Sequence, residues 1–366
     1  MKKVLAVILV LVLLMSVVSG CSKPADNDGG EANGSETPVE GGKIVKVGLG
    51  HIASINKSKG AEDGEGALGQ ADVTVAAVGF DADGKVVSVT IDTAQTKVEF
   101  DEEGKITTDI NATPKSKKEL GFDYNMKKFF SEANGIGKEW FEQIEALEEW
   151  MVGKTVAEIT GIGFKENAAG YTDAPDVAEL ESSVSISVTG YLEVVAEAWE
   201  NSVEVKNGET VGLGLVTSVS KSKEAEDDED ALTQMDSTMT ATAFDADGKV
   251  VGTIIDTVQI GVTFDADGQL TADLDKAIKT KHELKEDYGM KGVSTKTGIG
   301  KEWFEQMEAF QEWMIGKTVA EITAMKTKER DASHLHVPDV AELESSVTIT
   351  VEGYLNIVDK AAKVAK

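Results

Sequence analysis

Two long stretches of this sequence say nearly the same thing. "FDADGKVV" at Phe80 to Val87 returns at Phe244 to Val251, a shift of 164, and "GIGKEWFEQ" from Gly135 returns from Gly298, a shift of 163. One residue is therefore lost between Met126/Met290 and those glycines. Self-similarity of this kind constrains the fold before any single residue does. The unit is about 150 residues long, an ordinary domain length and too long for a solenoid repeat. The sequence thus predicts two similar globular domains, residues 44–203 and 204–366.

Each copy begins strand-like and ends helical. "ADVTVAAVGFDADGKVVSVTIDTAQTKVEFDEEGKI" alternates apolar and polar residues around Asp-Gly and Glu-Gly punctuation, the pattern of an antiparallel meander with tight turns. Asp81/Asp83, Asp245/Asp247 and Asp265/Asp267 match the opening of a calcium loop but lack its later ligands, so hairpin turns are expected there. Trp140, Phe141, Ile144, Leu147 and Met151 stand at helical spacing, with Gly153 as the stop and Thr155 to Glu158 as a capping box for a second short helix; Thr318 to Glu321 repeats the box. Val184, Val188, Leu192, Val195 and Trp199 step by about four, as do Val347, Val351, Leu355 and Val358, which predicts a last helix; the β-branched "VSISV" can equally open as a strand. The fold class is α+β: a tandem repeat, each copy an antiparallel β-meander followed by helices.

The N-terminus carries an address. Lys2, Lys3, the apolar run "VLAVILVLVLLMSVV" and "VSGC" make up the charged, apolar and cleavage regions of an export signal over residues 1–20. The run is shorter than the roughly 18 to 20 apolar residues of a membrane span. Val18-Ser19-Gly20-Cys21 resembles the lipobox of bacterial lipoproteins, which implies cleavage before Cys21 and acylation of its sulfur. Two or more acyl chains anchor stably. Residues 21–43 then hold the lipidated Cys and a Gly-, Asp-, Ser- and Pro-rich tether with little to bury. Cys21 is the chain's single cysteine, so disulfide, thiol-redox and thiolate-metal readings are excluded. Thirty-six Lys and Arg against 65 Asp and Glu give −29, or −31 once Lys2 and Lys3 leave with the signal, which excludes nucleic acid as a partner. The expected location is the extracytoplasmic face of the cell membrane.

One motif is richer in hydroxyls than folding requires. "ELESSVSIS" from Glu179 returns as "ELESSVTIT" from Glu342, putting Ser182, Ser183 and Ser185, and Ser345, Ser346 and Thr348, at or near a helix start. One hydroxyl suffices for an N-cap; a helix N-terminus also suits phosphate. Asp176 to Glu179 can itself form a capping box.

"SKKELGFDYNMKK", "GIGKEWFEQIEALEEWMVGKTVAEI" and "DVAELESSVSIS", in that order, resemble the repeats of the flavin-bearing lipoproteins of Gram-positive extracellular electron transfer, the pheromone-lipoprotein (PplA-like) group. The resemblance covers both repeats and the lipobox. It implies that a flavin transferase (ApbE-like) joins FMN through its phosphate to a Ser or Thr hydroxyl in each repeat. The family's broader acceptor pattern, Asp-x-x-Ser/Thr-Gly/Ser-Ala-Thr/Ser, falls on Glu179 to Ser185 and Glu342 to Thr348, with Glu for Asp and Val for Ala. The implied acceptors are Ser185 and Thr348, with Ser183 and Ser346 next in line. Tyr124, Tyr288, Met126, Met290, Trp140 and Trp303 become candidates to pack on the ring, the tryptophans also being natural core residues, and Lys117 and Lys281 candidates to offset negative charge.

The function so implied is that of a lipid-anchored electron carrier with two covalent FMN groups, not an enzyme. It would take electrons from a membrane quinol-linked flavoprotein donor and pass them to extracellular acceptors such as ferric iron. A cell-surface binding or adhesion lipoprotein is the competing reading, and a pheromone cut from the signal peptide is compatible with either. Three features carry no assignment. "SINKSK" and "SVSKSK", from Ser54 and Ser218, pair hydroxyls with amines; Gly48-x-Gly50 and Gly212-x-Gly214 are fragments of a dinucleotide fingerprint in strand-like surroundings. His334 and His336 align with Tyr171 and Asp173, which speaks against a metal site shared by both copies.

Overall fold

A computed structural model of the chain describes residues 44–128, 135–226, 229–295 and 298–366; the expected signal peptide, Cys21 and the tether lie outside them. Strands β1 (Ile44–Ser54), β2 (Leu68–Phe80) and β3 (Val86–Glu99) form the expected antiparallel meander, with Val75 opposite His51 on one side and Asp92 on the other. The β2–β3 turn is closed by Asp81, whose Oδ1 accepts the backbone N–H groups of Asp83 and Lys85 at 2.9 and 2.8 Å, while Gly84 takes the positive φ of 76° that the turn needs. Asp245 and Asp265 do the same in their own turns.

After the meander come α1 (Lys117–Leu120), α2 (Trp140–Met151), α3 (Val156–Thr160), a two-residue ribbon of β4 (Phe164–Lys165) with β5 (Ala174–Pro175), and α4 (Thr189–Glu200). The Thr155–Glu158 capping box opens α3 as the sequence predicts. Strand β6 (Val203–Gly208) then pairs with β1, giving the sheet order β3-β2-β1-β6. The expected boundary at 203/204 therefore falls inside a strand that completes the first repeat's sheet.

The second repeat runs through β7 (Thr210–Ser218), β8 (Ala231–Phe244), β9 (Val250–Phe264), α5 (Lys281–Leu284), α6 (Lys291–Ser294), α7 (Trp303–Met314), α8 (Val319–Thr323), β10 (Thr327–Lys328) with β11 (Val337–Pro338), and α9 (Glu352–Val364). Its sheet order is β7-β8-β9.

Alternation along the strands gives each sheet two apolar faces. The inner faces meet: Val73, Val75 and Ala77 of β2 share one core with Met235, Met239 and Ala241 of β8. On the outer side of the first sheet, Ala76, Val78 and Phe80 pack with Trp140, Ile144, Leu192 and Val195. Phe244 and Ile255 pack with Trp303, Phe310 and Leu355 on the outer side of the second. The order is helices, sheet, sheet, helices, and residues of both repeats fill one central core.

The Gly-x-Gly pairs acquire a role here. A Cβ at Gly48 would lie 1.9 Å from the Ala198 carbonyl oxygen, and one at Gly50 1.9 Å from that of Val194; Gly212 and Gly214 stand likewise under Ala361 and Ile357 of α9. Bare glycine lets each terminal helix lie with its backbone directly on the sheet.

Contacts between the repeats are reciprocal. Glu197 of α4 reaches Glu283 of α5 through His51, and the residues equivalent to those two glutamates, Lys360 and Glu119, pair at 2.8 Å. Phe100 meets its own equivalent, Phe264, with ring centroids 5.5 Å apart.

The hydroxyl cluster is placed differently from the expectation of a helix start. Ala178–Leu180 is one 3-10 turn without a side-chain cap, so the Asp176–Glu179 capping box does not form, and α4 begins only at Thr189. Ser182 to Ser187 is neither helix nor strand. Buried Val184 and Val188 pin this turn to the core. Among the described residues, no helix is long and apolar enough to cross a membrane.

Candidate functional site

A cleft of about 240 Å³ opens beside this turn in the first repeat. Its walls bring together five of the residues singled out from sequence: Lys117, Tyr124, Met126, Trp140 and Ser185. They come from four separate places: the start of α1, the 3-10 turns after it, the start of α2, and the turn before α4. Glu179 is exposed and is not among the lining residues, and neither is Ser183, whose hydroxyl donates to the Leu180 carbonyl at 3.3 Å within its own turn.

Ser185 is held by its backbone. Its N–H donates to Gln143 Oε1 at 2.8 Å, and its carbonyl accepts from Asn167 Nδ2 at 2.6 Å. The hydroxyl has only a long contact, 3.4 Å, to the same Gln143 oxygen. No histidine, carboxylate or amine is hydrogen-bonded to that hydroxyl among the described residues.

Behind the hydroxyl lies an aromatic wall carrying buried positive charge. Lys117 Nζ sits 5.0 Å over the Tyr124 ring and 5.2 Å over Trp140. Burial pushes the Lys117 ammonium down to about 8, partly countered by Asp72 and Asp92 and reinforced by Lys57. Lys57, from the unassigned "SINKSK" stretch, also lines the cleft and is paired with Asp72 at 2.6 Å. Trp140 is buried and donates Nε1–H to the Tyr191 hydroxyl at 2.8 Å, which makes it a wall and not an exposed platform. Burial raises Tyr191 to about 12. Buried Met126 is fixed by its N–H, which donates to Glu139 Oε2 at 2.7 Å.

The second repeat rebuilds this arrangement. Thr348 N–H donates to Gln306 Oε1 at 2.9 Å, with the hydroxyl again 3.4 Å from that oxygen. Lys281 Nζ sits 5.0 Å over Tyr288 and 5.4 Å over Trp303, and burial lowers it to about 8. Trp303 Nε1 donates to the Tyr354 hydroxyl at 3.1 Å. Met290 accepts from Gln306 Nε2 at 3.5 Å, and Tyr288, raised by burial to about 12, donates to Gln259. Glu342 is exposed, and Ser346 caps the Leu343 carbonyl just as Ser183 caps Leu180. One partner differs: the Thr348 carbonyl accepts from Arg330 Nη1 at 2.7 Å where Ser185 has Asn167.

Sequence reasoning missed Gln143/Gln306, Tyr191/Tyr354 and Asn167/Arg330. Gln143 carried a signal, since it lies on the apolar face of α2 beside Trp140 and Ile144, where an uncharged polar residue must find a partner. Asn167 and Arg330 carried none, because their roles depend on a ribbon and a turn 18 residues further on.

A separate titratable cluster joins the repeats. His51 Nδ1 lies 3.2 Å from Glu197 and Nε2 3.5 Å from Glu283, and the three groups stand within 4.8 Å of one another. Burial would lower the imidazole, but the two carboxylates override it and hold it up at about 10, so the protonated ring already satisfies both. His334 and His336 point to different partners, Asp331 and Glu352.

No protein-family model matches the chain, and no solved structure matches it. A curated protein, the chlorophenol reductase of Desulfitobacterium hafniense, is similar to part of it: 31% identical over 133 residues, which is 33% of this chain. The chain thus spans only 39% of the length of the curated relative that it matches.

Proposed function

We propose that this chain is a tandem duplication of one flavin-bearing unit, a PplA-like lipoprotein that carries electrons outside the cytoplasmic membrane with one FMN esterified to Ser185 and one to Thr348. The observation that carries the reading is the convergence of a presented, unactivated hydroxyl with Lys117, Tyr124, Met126 and Trp140 at one cleft, and the recurrence of the same contacts around Thr348.

These residues fit a phosphate-linked flavin. Gln143 and Asn167 fix the backbone on both sides of Ser185, so its oxygen stands at the cleft while staying free to displace a leaving group from an activated flavin phosphate, its proton passing to solvent. The absence of a bonded base suits a reaction driven by an external transferase. Lys117, with Lys57 beside it already paired to Asp72, supplies local positive charge in a chain of net charge −29, which favours a phosphate and an electron-rich ring. Tyr124, Met126 and Trp140 keep water off one side. When bound, the flavin supplies reversible electron transfer, and the protein supplies its position and electrostatics. Reductase is also the name of the partly similar curated protein, which favours a redox role over adhesion. On this reading Cys21 holds the chain at the membrane face, near a quinol-linked donor.

Intact mass and denaturing electrophoresis test this directly. Coexpressed with a flavin transferase, the protein should gain two FMN masses and stay yellow when denatured. Ser185→Ala should remove one, Thr348→Ala the other, and the double variant should be colourless but folded, because each hydroxyl makes only a 3.4 Å contact. An unmutated protein with no added mass would leave the surface-binding lipoprotein as the better reading.

A further inference from the structure

The two sites are alike except at one partner, and that partner changes the charge. Asn167 and Arg330 are equivalent by the 163-residue shift, and each donates to the carbonyl of the residue whose hydroxyl is presented, at 2.6 and 2.7 Å. An amide is enough for that bond. Arg330 brings a guanidinium that is 21% exposed and spends Nη1 on Thr348 and Nε on Asp331 at 2.9 Å. Its Nη2 donors have no partner among the described residues. Asp331 offsets part of the charge but lies on the Nε side and is itself shared with His334 at 2.7 Å. We infer that Arg330 is an anion anchor: beyond the lysine charge common to both sites, the second site offers the phosphate of its ligand a guanidinium where the first has a neutral amide. A planar guanidinium with free N–H groups is suited to a phosphate in a way that Asn167 is not. The inference rests on the flavin reading for the identity of the ligand, and on this geometry alone for the anion.

The full chain carrying Ser185→Ala and Thr348→Ala, which cannot be esterified at either position, separates these two claims. It is titrated with FMN, with riboflavin, which lacks the phosphate, and with inorganic phosphate, following the backbone amide NMR signals at positions 185 and 348. At position 348 FMN should bind about tenfold more tightly than riboflavin at low salt, the scale of a charge-assisted hydrogen bond, and the ratio should fall as salt screens it. Arg330→Asn, which rebuilds the first repeat's amide and keeps the carbonyl bonded, should erase that advantage. Arg330→Lys should retain part of it, and Asn167→Arg should create it at position 185. An Arg330→Asn protein with unchanged FMN affinity and salt dependence at position 348 overturns the inference. If neither flavin shifts a signal while phosphate still shifts position 348 in an Arg330-dependent way, the anion anchor stands and the flavin reading falls. If phosphate shifts nothing either, the anchor falls too.

Discussion

At the residue scale the site depends on groups that hold backbone in place as much as on those that face the cleft. Gln143 is buried and spends its carbonyl on the Ser185 N–H and its amide on the Lys138 carbonyl at 3.2 Å. Gln143→Leu should cost about 1 to 3 kcal/mol by leaving both partners unpaired, read as a lowered denaturation midpoint, and should loosen the Ser185 turn. Ser185, Lys117, Tyr124 and Trp140 were legible from sequence because resemblance and repetition marked them; Gln143 was visible only as a polar residue on an apolar face. His51 carries the clearest pH signature. Its folded-state pKa of about 10 lies above the unfolded value of 6.5, so its contribution is complete below pH 6.5 and is lost as pH rises toward 10. Stability by chemical denaturation should therefore fall across that window, and His51→Gln should flatten the fall. A slope unchanged by the substitution would place the loss elsewhere.

At the scale of elements, strands, turns and α2 could be read directly, because alternation, Asp-Gly turns and four-residue spacing are local signals. The last helix was expected too early. Val184 and Val188 continue its apolar spacing, yet they are buried as anchors of the turn that presents Ser185. Apolar period alone does not say whether a valine sits inside a helix or just before one. The Gly-x-Gly pairs, meaningless as a nucleotide signature, are the seats of α4 and α9. Gly48→Ala should cost several kcal/mol, because its Cβ would meet backbone that cannot swing away, whereas Gly190→Ala on the open side of α4, with nothing within 4 Å, should be neutral or stabilising by up to ~1 kcal/mol. Paired denaturation curves check both, and equal effects would mean that α4 is not seated as described.

At the scale of the molecule, the sequence showed two copies but could not show that they share a core, since a face buried against the other repeat reads the same as a face buried within one. A fragment of residues 209–366 would expose Leu213, Met235, Met239 and Val262 of the inner face. It should not persist as a folded monomer; sedimentation together with circular dichroism decides this, and a compact monomer would show that the shared core is dispensable. The reciprocal contacts make the interface nearly symmetric. Phe100 against Phe264, with Glu197–His51–Glu283 mirrored by the direct pair Lys360–Glu119, is the pattern of an interface in which one surface is nearly its own complement. Within one polypeptide the two sides need not be identical, and His51 against Leu215, or Asn167 against Arg330, are positions where they differ.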